Sequence, residues 1–478
     1  MTLAALPRHK TKIICTIGPA CDSPAMLARM IGAGMNVARL NFSHGDFDSH
    51  REVIARLRRA SEEAGRRLAI MADLPGPKIR VGRVSPEPVE LRRGEAIILT
   101  TDEVEGDASR VSVNFDRLPQ VVKQGDALFL NDGLIELEVE GVEAADVRCR
   151  VQAGGELSSR KGLNLPGIDL GMSAFTDRDR ECLDFALAEG VDAVSQSFVG
   201  EADDLLRLRD HAATLGHSPF VIAKIERAGA LKRIDEIIAS ADGIMIARGD
   251  LGVEVPIEKM ALIQKDLMVK AILRGRPVIT ATQMLESMTS SRRPTRAEAT
   301  DVANAVLDGT DCVMLSGESA MGRYPVEAVE MLARIAAEAE PHRPGYRRRE
   351  AMEAFGRDGS ASPRDLTAWS AAGTVDRSDA AVVVVPTLSG ATARNVSRFR
   401  LPVWVAALSP SEETCRHLQF SYGVHPVLEL RHPEDWKAYI REGVQGAGLE
   451  GSLALLIEGP SRGNPEANHR MELIELQE

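Results

Sequence analysis

Aromatic side chains make up only 4% of this chain, and long apolar runs are missing altogether. Its apolar stretches, such as Ala380-Ala-Val-Val-Val-Val385, fall far short of the roughly 20 residues a membrane-crossing helix needs. There is also no excess of positive charge. With 70 acidic residues against 58 basic ones the net charge is −12, so no polycationic field exists to draw in nucleic acid. Anionic ligands must then be held by local clusters. The six cysteines (Cys15, Cys21, Cys149, Cys182, Cys312, Cys415) are scattered without a CxxC pair, and the N-terminal residues carry no leader-like pattern. The expectation is reduced thiols in a cytoplasm, without disulfides or cysteine-bound zinc.

What is present is ordinary globular composition, 44% hydrophobic and 27% charged, over 478 residues. That length exceeds one hydrophobic core and predicts about three domains. From the start, short apolar runs alternate with helical patterns: 12–17 then 24–31, 36–40 then 48–64, then 69–73. After Asp73 the texture changes to Gly-, Pro- and Val-rich segments, with strands expected at 80–83, 96–100, 127–131 and 134–139. Alternation resumes with a helix at 177–189, where Thr176 and Asp179 have capping-box spacing. Strands are then expected at 193–197, 220–225, 243–247, 278–281 and 312–315, with helical stretches between them. Three strands before the insert and five after it predict a TIM (β/α)8 barrel, interrupted after its third strand, with its chemistry at the C-terminal strand ends. The segment 338–363 reads as a linker. Beyond it a further α/β unit is expected, with strands at 380–385, 403–407, 453–457 and 471–476. The α/β chain thus divides into barrel (1–73 and 171–340), inserted β lid domain (74–170) and C-terminal domain (345–478).

Two of these runs end in the same kind of charged cluster: Val221-Ile-Ala-Lys224-Ile-Glu226 and Gly243-Ile-Met-Ile-Ala-Arg248-Gly249-Asp250. Carboxylates from neighbouring strand ends suit a hard divalent cation, which takes oxygen ligands and keeps positions open for phosphate, so Glu226 and Asp250 are the first metal candidates. The second strand delivers Asn36-Val-Ala-Arg39-Leu-Asn41-Phe-Ser43-His44-Gly45, and the third Asp73-Leu-Pro-Gly-Pro-Lys78-Ile-Arg80. Arginine forks bind phosphate or carboxylate with two bonds, which marks Arg39 and Arg80 as clamps on an anion. The seventh strand ends in Thr280-Ala-Thr282-Gln283 and the eighth in Leu315-Ser316-Gly317-Glu318, whose hydroxyls can hold a proton or cap a helix.

Several long motifs in order carry a resemblance: the 36–45 run, Lys224-Ile-Glu226, Ala247-Arg-Gly-Asp-Leu-Gly-Val-Glu254, Ala281-Thr-Gln-Met-Leu-Glu-Ser-Met288 and Met314-Leu-Ser-Gly-Glu318. They resemble pyruvate kinases, from about residue 11 to the C-terminus and more weakly in the insert and at 338–363. The resemblance implies transfer of the phosphoryl group of phosphoenolpyruvate to ADP, giving pyruvate and ATP in the last step of glycolysis. It implies that Lys224 acts on the moving phosphoryl group. Glu226 and Asp250 hold Mg2+, for which Mn2+ can stand in. Arg39, Gly249, Asp250 and Thr282 surround the substrate, and Thr282 helps route a proton. Asn41, His44, Arg80 and Lys161 face ADP and ATP, and the insert closes as a lid. A homotetramer in the cytoplasm, with no nucleic acid or membrane partner, completes the expectation.

One departure stands out. Members of the family that need a monovalent cation read Asp-Thr-Lys-Gly-Pro-Glu at the third strand end, whereas here it is Asp73-Leu74-Pro75-Gly76-Pro77-Lys78. The expectation is that Lys78 substitutes for potassium, as in a potassium-independent subgroup, so that the cation positions Asn41, Ser43, Asp73 and Leu74 need not hold an ion. The loop Thr387-Leu-Ser389-Gly390-Ala-Thr392 resembles the family's effector phosphate pocket and implies a phosphorylated effector. Two other readings remain: a metal-dependent barrel lyase acting on pyruvate-like acids, and a non-catalytic sugar-phosphate sensor. The lyase would not require the insert, Lys161 or the 39–44 run. The sensor would tolerate loss of Lys224, Glu226 or Asp250, and all three are present.

Overall fold

A computed structural model describes residues 6–343, 361–460 and 467–477. Eight parallel strands close into a barrel: Lys12–Thr16, Met35–Asn41, Ala69–Asp73, Ala193–Gln196, Phe220–Ile225, Gly243–Ala247, Val278–Ala281 and Cys312–Leu315, with the eighth paired to the first. Alternate residues serve two cores. Ile14, Val37, Met71, Ile222, Met245, Ile279 and Met314 fill the barrel interior. Their neighbours Ile13, Cys15, Val221 and Val313 pack outward under helices such as Pro24–Ala33 and Pro325–Ala339. Burial on both faces explains why these strands read as unbroken apolar runs. The capping box at Thr176 and Asp179 forms as expected.

Between the third and fourth barrel strands lies the insert. Its six-stranded sheet runs in the order Leu163–Asn164, Ala127–Leu130, Ile135–Glu143, Asp146–Ala153, Ala96–Thr100, Arg110–Ser112, beside a ribbon of Val89–Leu91 and Gly155–Leu157. The expected strand at 80–83 pairs only through single bridges, Arg80 with Gly162 and Val81 with Val113. Those bridges link the two sheet edges and round the sheet into a small barrel over Leu99, Leu128, Leu137 and Val147. At its tip Asn131, Asp132 and Gly133 all have positive φ (52°, 56° and 88°). The tip sits against the barrel: a Cβ on Gly133 would lie 3.2 Å from Val253.

The expected 338–363 linker lies mostly outside the described residues. At its start the chain is still helical through Pro325–Ala339 and Glu340–His342, and at its end Ser362 caps the helix Pro363–Val375. The C-terminal sheet has the order Val424–Leu428, Trp404–Ser409, Ala380–Pro386, Leu453–Glu458, Arg470–Glu475, with only the last strand antiparallel. The edge strand Val424–Leu428 had no sequence signal, because Pro426 interrupts a short run, and an edge is where a strand proline is tolerated. This domain plugs the floor of the barrel. Phe420 stacks on Phe220 at 5.2 Å, Lys12 Nζ donates to Val424 O at 2.7 Å, and Arg400 pairs with Asp311 at 2.6 Å in full burial. Breaking such a pair by removing one partner costs about 3–5 kcal/mol, so the floor is held firmly while the opposite mouth stays open.

Candidate active site

The mouth is built around Lys224, whose Nζ lies 2.9 Å from Glu226 Oε1 and 3.3 Å from Asp73 Oδ1 and donates to Ser197 Oγ at 2.7 Å. Lys224 is 9% exposed, while Glu226 and Asp73 are each 2% exposed. Burial lowers the pKa of the ammonium, but Asp73 and Glu226 outweigh it and raise the net value. Asp73 sits in register between Asn41 and Ser195. Its Oδ1 accepts from Ser195 Oγ at 2.6 Å, and its Oδ2 pairs with the Arg39 guanidinium, whose Nη1 donates to Thr16 Oγ1 at 2.8 Å. Burial works against the carboxylate, yet Arg39 and Lys224 prevail and hold Asp73 at about 2. Two fixed cations therefore stand side by side on one shared carboxylate.

Beside them lie the metal candidates. Glu226 Oε2 accepts the Phe198 backbone N–H at 2.7 Å, leaving Oε1 on Lys224. Its pKa is raised, chiefly by burial and further by Asp250, against the pull of Lys224. Two carboxylates pressed together in this way are relieved by a divalent cation. Among the described residues no group of three or more His, Cys, Asp or Glu is arranged to enclose a metal. Glu226 and Asp250 are carboxylate oxygen donors of the kind a hard divalent cation such as magnesium takes, so the residues present fit that ion. Lys78 lands here as well, with Nζ 3.4 Å from Asp250 Oδ1.

Asp250 and Gly249 belong to the helix Arg248–Glu254 that opens directly from the sixth strand. Gly249 N donates to Thr282 Oγ1 at 2.8 Å, and Thr282 Oγ1 donates to Ala281 O at 2.7 Å. The hydroxyl that follows the seventh strand is thereby fixed against Gly249, the neighbour of the metal candidate Asp250. Asn41 ends the second strand and Ser43 and His44 follow it, with Asn41 Oδ1 accepting from Ser43 N at 3.2 Å and His44 exposed. Arg80 and Lys161 lie at the seam that closes the insert, where Arg80 Nη1 donates to Arg160 O at 3.0 Å and Val81 N donates to Lys161 O at 2.9 Å. Leu74 is 1% exposed and packs in the outer barrel core.

The effector-loop residues are remote from this mouth, in the C-terminal domain. Gly390 N donates to Thr387 Oγ1 at 3.0 Å, and Gly390, at φ 75°, precedes the short helix Ala391–Ser397 that contains Thr392. The loop's sequence lacks a basic residue, but Arg394 Nη2 reaches back to Ser389 O at 2.9 Å. A cavity of about 630 Å³ adjoins Thr387, with His432, Trp436 and Arg470 on its wall.

Sequence reasoning missed Ser195 and Ser197, which bracket Asp73 and Lys224. Their signal was there: polar residues at the end of the fourth strand, in a fold whose chemistry sits at strand ends. It also missed Thr16 beneath Arg39, and Arg248 with its partner Asp301.

Two family models match the chain: the one described as pyruvate kinase, barrel domain, over residues 8–329, and the one described as pyruvate kinase, alpha/beta domain, over residues 365–465. A pyruvate kinase of Thermococcus litoralis is 46% identical over 98% of this chain and 99% of its own length. A pyruvate kinase of Geobacillus stearothermophilus is 43% identical over 87% of this chain and 71% of its own length. One from Staphylococcus aureus is 42% identical over 88% of this chain and 72% of its own length. With both domains matched and a relative aligned almost end to end, the chain belongs to the pyruvate kinase family.

Proposed function

We propose that this chain transfers the phosphoryl group of phosphoenolpyruvate to ADP and protonates the resulting enolate to pyruvate. The observation that carries the reading is the buried Lys224 ammonium, held charged between Asp73 and Glu226 beside a second fixed cation, Arg39. Phosphoryl transfer leaves little covalent work to the protein, so placing positive charge around the moving group supplies most of the catalysis. Arg39 grips the substrate phosphate, and Lys224 follows the charge as it moves toward ADP. Glu226 and Asp250 would hold magnesium, or manganese in its place, and the bound ion would supply positive charge against the anionic reactants. Gly249 and Thr282 line the seat of the substrate's carboxylate end. The Thr282 hydroxyl passes a solvent proton to the enolate carbon. Asn41, His44, Arg80 and Lys161 face the nucleotide from the barrel and from the insert. The insert tip, already against Val253, closes over the mouth and excludes water.

The test is a coupled assay for pyruvate formation from phosphoenolpyruvate and ADP, with and without magnesium. Turnover is expected only with the metal, and absence of pyruvate under both conditions overturns the reading.

The same site needs no potassium in this proposal. Asp73 is already neutralised by Arg39 and Lys224, Leu74 offers no side-chain oxygen, and Lys78 brings a permanent cation to Asp250. Full turnover is expected in buffer free of sodium and potassium. Lys78→Glu should lower it about tenfold or more, since it replaces attraction by repulsion next to Asp250. Strong activation of the unmodified chain by potassium would sink the idea.

A cytoplasmic homotetramer regulated through the 387–392 loop by a phosphorylated ligand completes the proposal. No helix among the described residues is long and apolar enough to cross a membrane. Ile257, Leu262 and Val269 expose apolar surface (73%, 69% and 41%) on and before one outer helix, Met260–Leu273, which supports assembly of like chains.

A further inference from the structure

Thr282 and Gln283 both adopt positive φ, 66° and 52°, although neither is glycine. Non-glycine residues persist in that region only where their surroundings hold them there. Here the holding falls largely to one side chain. Arg248 Nη2 donates to Thr282 O at 2.7 Å and to Gln283 O at 3.2 Å, Nε donates to Ala281 O at 3.3 Å, and Nη1 pairs with Asp301 at 2.6 Å. A single guanidinium thus gathers three successive carbonyls and is anchored from behind on the helix Arg296–Asp308. The next residue, Gly249, donates its N–H to the Thr282 hydroxyl. Both the backbone and the hydroxyl of Thr282 are therefore set by the sixth strand end.

We infer that Arg248 is a positioning residue for the protonation half of the reaction: it holds the strained 281–283 turn so that the Thr282 hydroxyl faces the enolate carbon. This rests on the reading of Thr282 given above. In the step concerned the enolate's C–C π pair takes the proton as the Thr282 O–H bond breaks, a methyl C–H bond forms, the oxygen-bearing carbon becomes a ketone, and solvent water returns a proton to the Thr282 oxygen. Arg248 touches neither substrate nor proton. Its rigid fork of donors is what the turn requires, and a lysine at this position keeps the charge opposite Asp301 without spanning three carbonyls.

The measurement is exchange of pyruvate methyl protons with D2O, followed by NMR in the presence of magnesium and ATP, beside the steady-state forward reaction. Arg248→Lys is expected to slow exchange about 10- to 100-fold, with the KM for phosphoenolpyruvate within about threefold of the parent. Asp301→Asn, which loosens the anchor, should act in the same direction and more weakly. In a Thr282→Val background, Arg248→Lys should slow exchange no further, because the two act on one hydroxyl. An undiminished exchange rate in Arg248→Lys beside a slow Thr282→Val, or additive losses in the double variant, overturns the positioning role alone. An undiminished rate in Thr282→Val removes the role of that hydroxyl and the inference with it.

Discussion

Lys224→Met is expected to lower kcat by about 10³-fold, which is about 4 kcal/mol of lost transition-state stabilisation. The size follows from the surroundings. Removing one neutral donor from a preorganised, water-poor site already costs about 10²- to 10³-fold, and charged hydrogen bonds are roughly twice as strong as neutral ones. Lys224 is 9% exposed and its raised pKa keeps it charged across the neutral range. The KM for phosphoenolpyruvate should move much less, because Arg39, the phosphate clamp of the proposed reaction, remains seated on Asp73 and Thr16.

The fold should survive the change. The side chains are of similar length, and Glu226, whose pKa is already raised by burial, can take a proton when its cation is lost. Asp73 keeps Arg39 but loses its second cation, so its pKa should rise from about 2. A depressed carboxylate adds stability above its unfolded value and loses that contribution as pH falls through the folded one. Acid unfolding of the variant should therefore begin at higher pH than in the parent. Steady-state kinetics with acid and thermal melts separate the two effects. A variant that retains a tenth or more of the parent kcat overturns the role of Lys224.

How far the sequence reveals such a site depends on where each residue's partners come from. Ala69–Asp73, Phe220–Ile225, Gly243–Ala247, Val278–Ala281 and Cys312–Leu315 were legible to the residue, because strands buried on both faces run apolar until they meet the charged mouth. The insert was half legible. Asp146–Ala153 alternates buried Val147, Cys149 and Val151 with outward Arg148 and Arg150, a period-two signal that the sequence reading passed over, and the 80–83 stretch closes a sheet through isolated bridges that leave no periodic trace. Lys224, Glu226 and Asp250 announced themselves as charges at the ends of apolar runs. Ser195 and Ser197, polar residues at the end of the fourth strand, were easier to pass over, since a serine there usually caps or turns the chain. Lys78 was expected to act where potassium would, near Asn41, Ser43 and Asp73. Its observed partner is Asp250, 172 residues away, a pairing that only the folded path of the third-strand loop makes available.

Glu226→Gln is expected to raise the half-saturating magnesium concentration at least tenfold and to lower kcat/KM on the order of 10²-fold or more. The substitution keeps the shape and one acceptor for the Phe198 N–H while removing the charge. Stability should move in opposite directions with and without metal, which distinguishes ligand loss from general damage. Without metal, the raised pKa of Glu226 means that the folded chain resists its ionisation, so the carboxylate costs stability as pH rises above its unfolded value. Glutamine carries no such cost, and the metal-free variant should melt no lower than the parent at neutral pH. With magnesium the parent should gain thermal stability by mass action, and the variant should gain little. Titration with Mn2+ followed by electron paramagnetic resonance, without substrate, reads the same affinity independently of turnover. An undiminished Mn2+ affinity together with an unchanged magnesium half-saturation would remove Glu226 from the metal site and leave it only the task of holding Lys224.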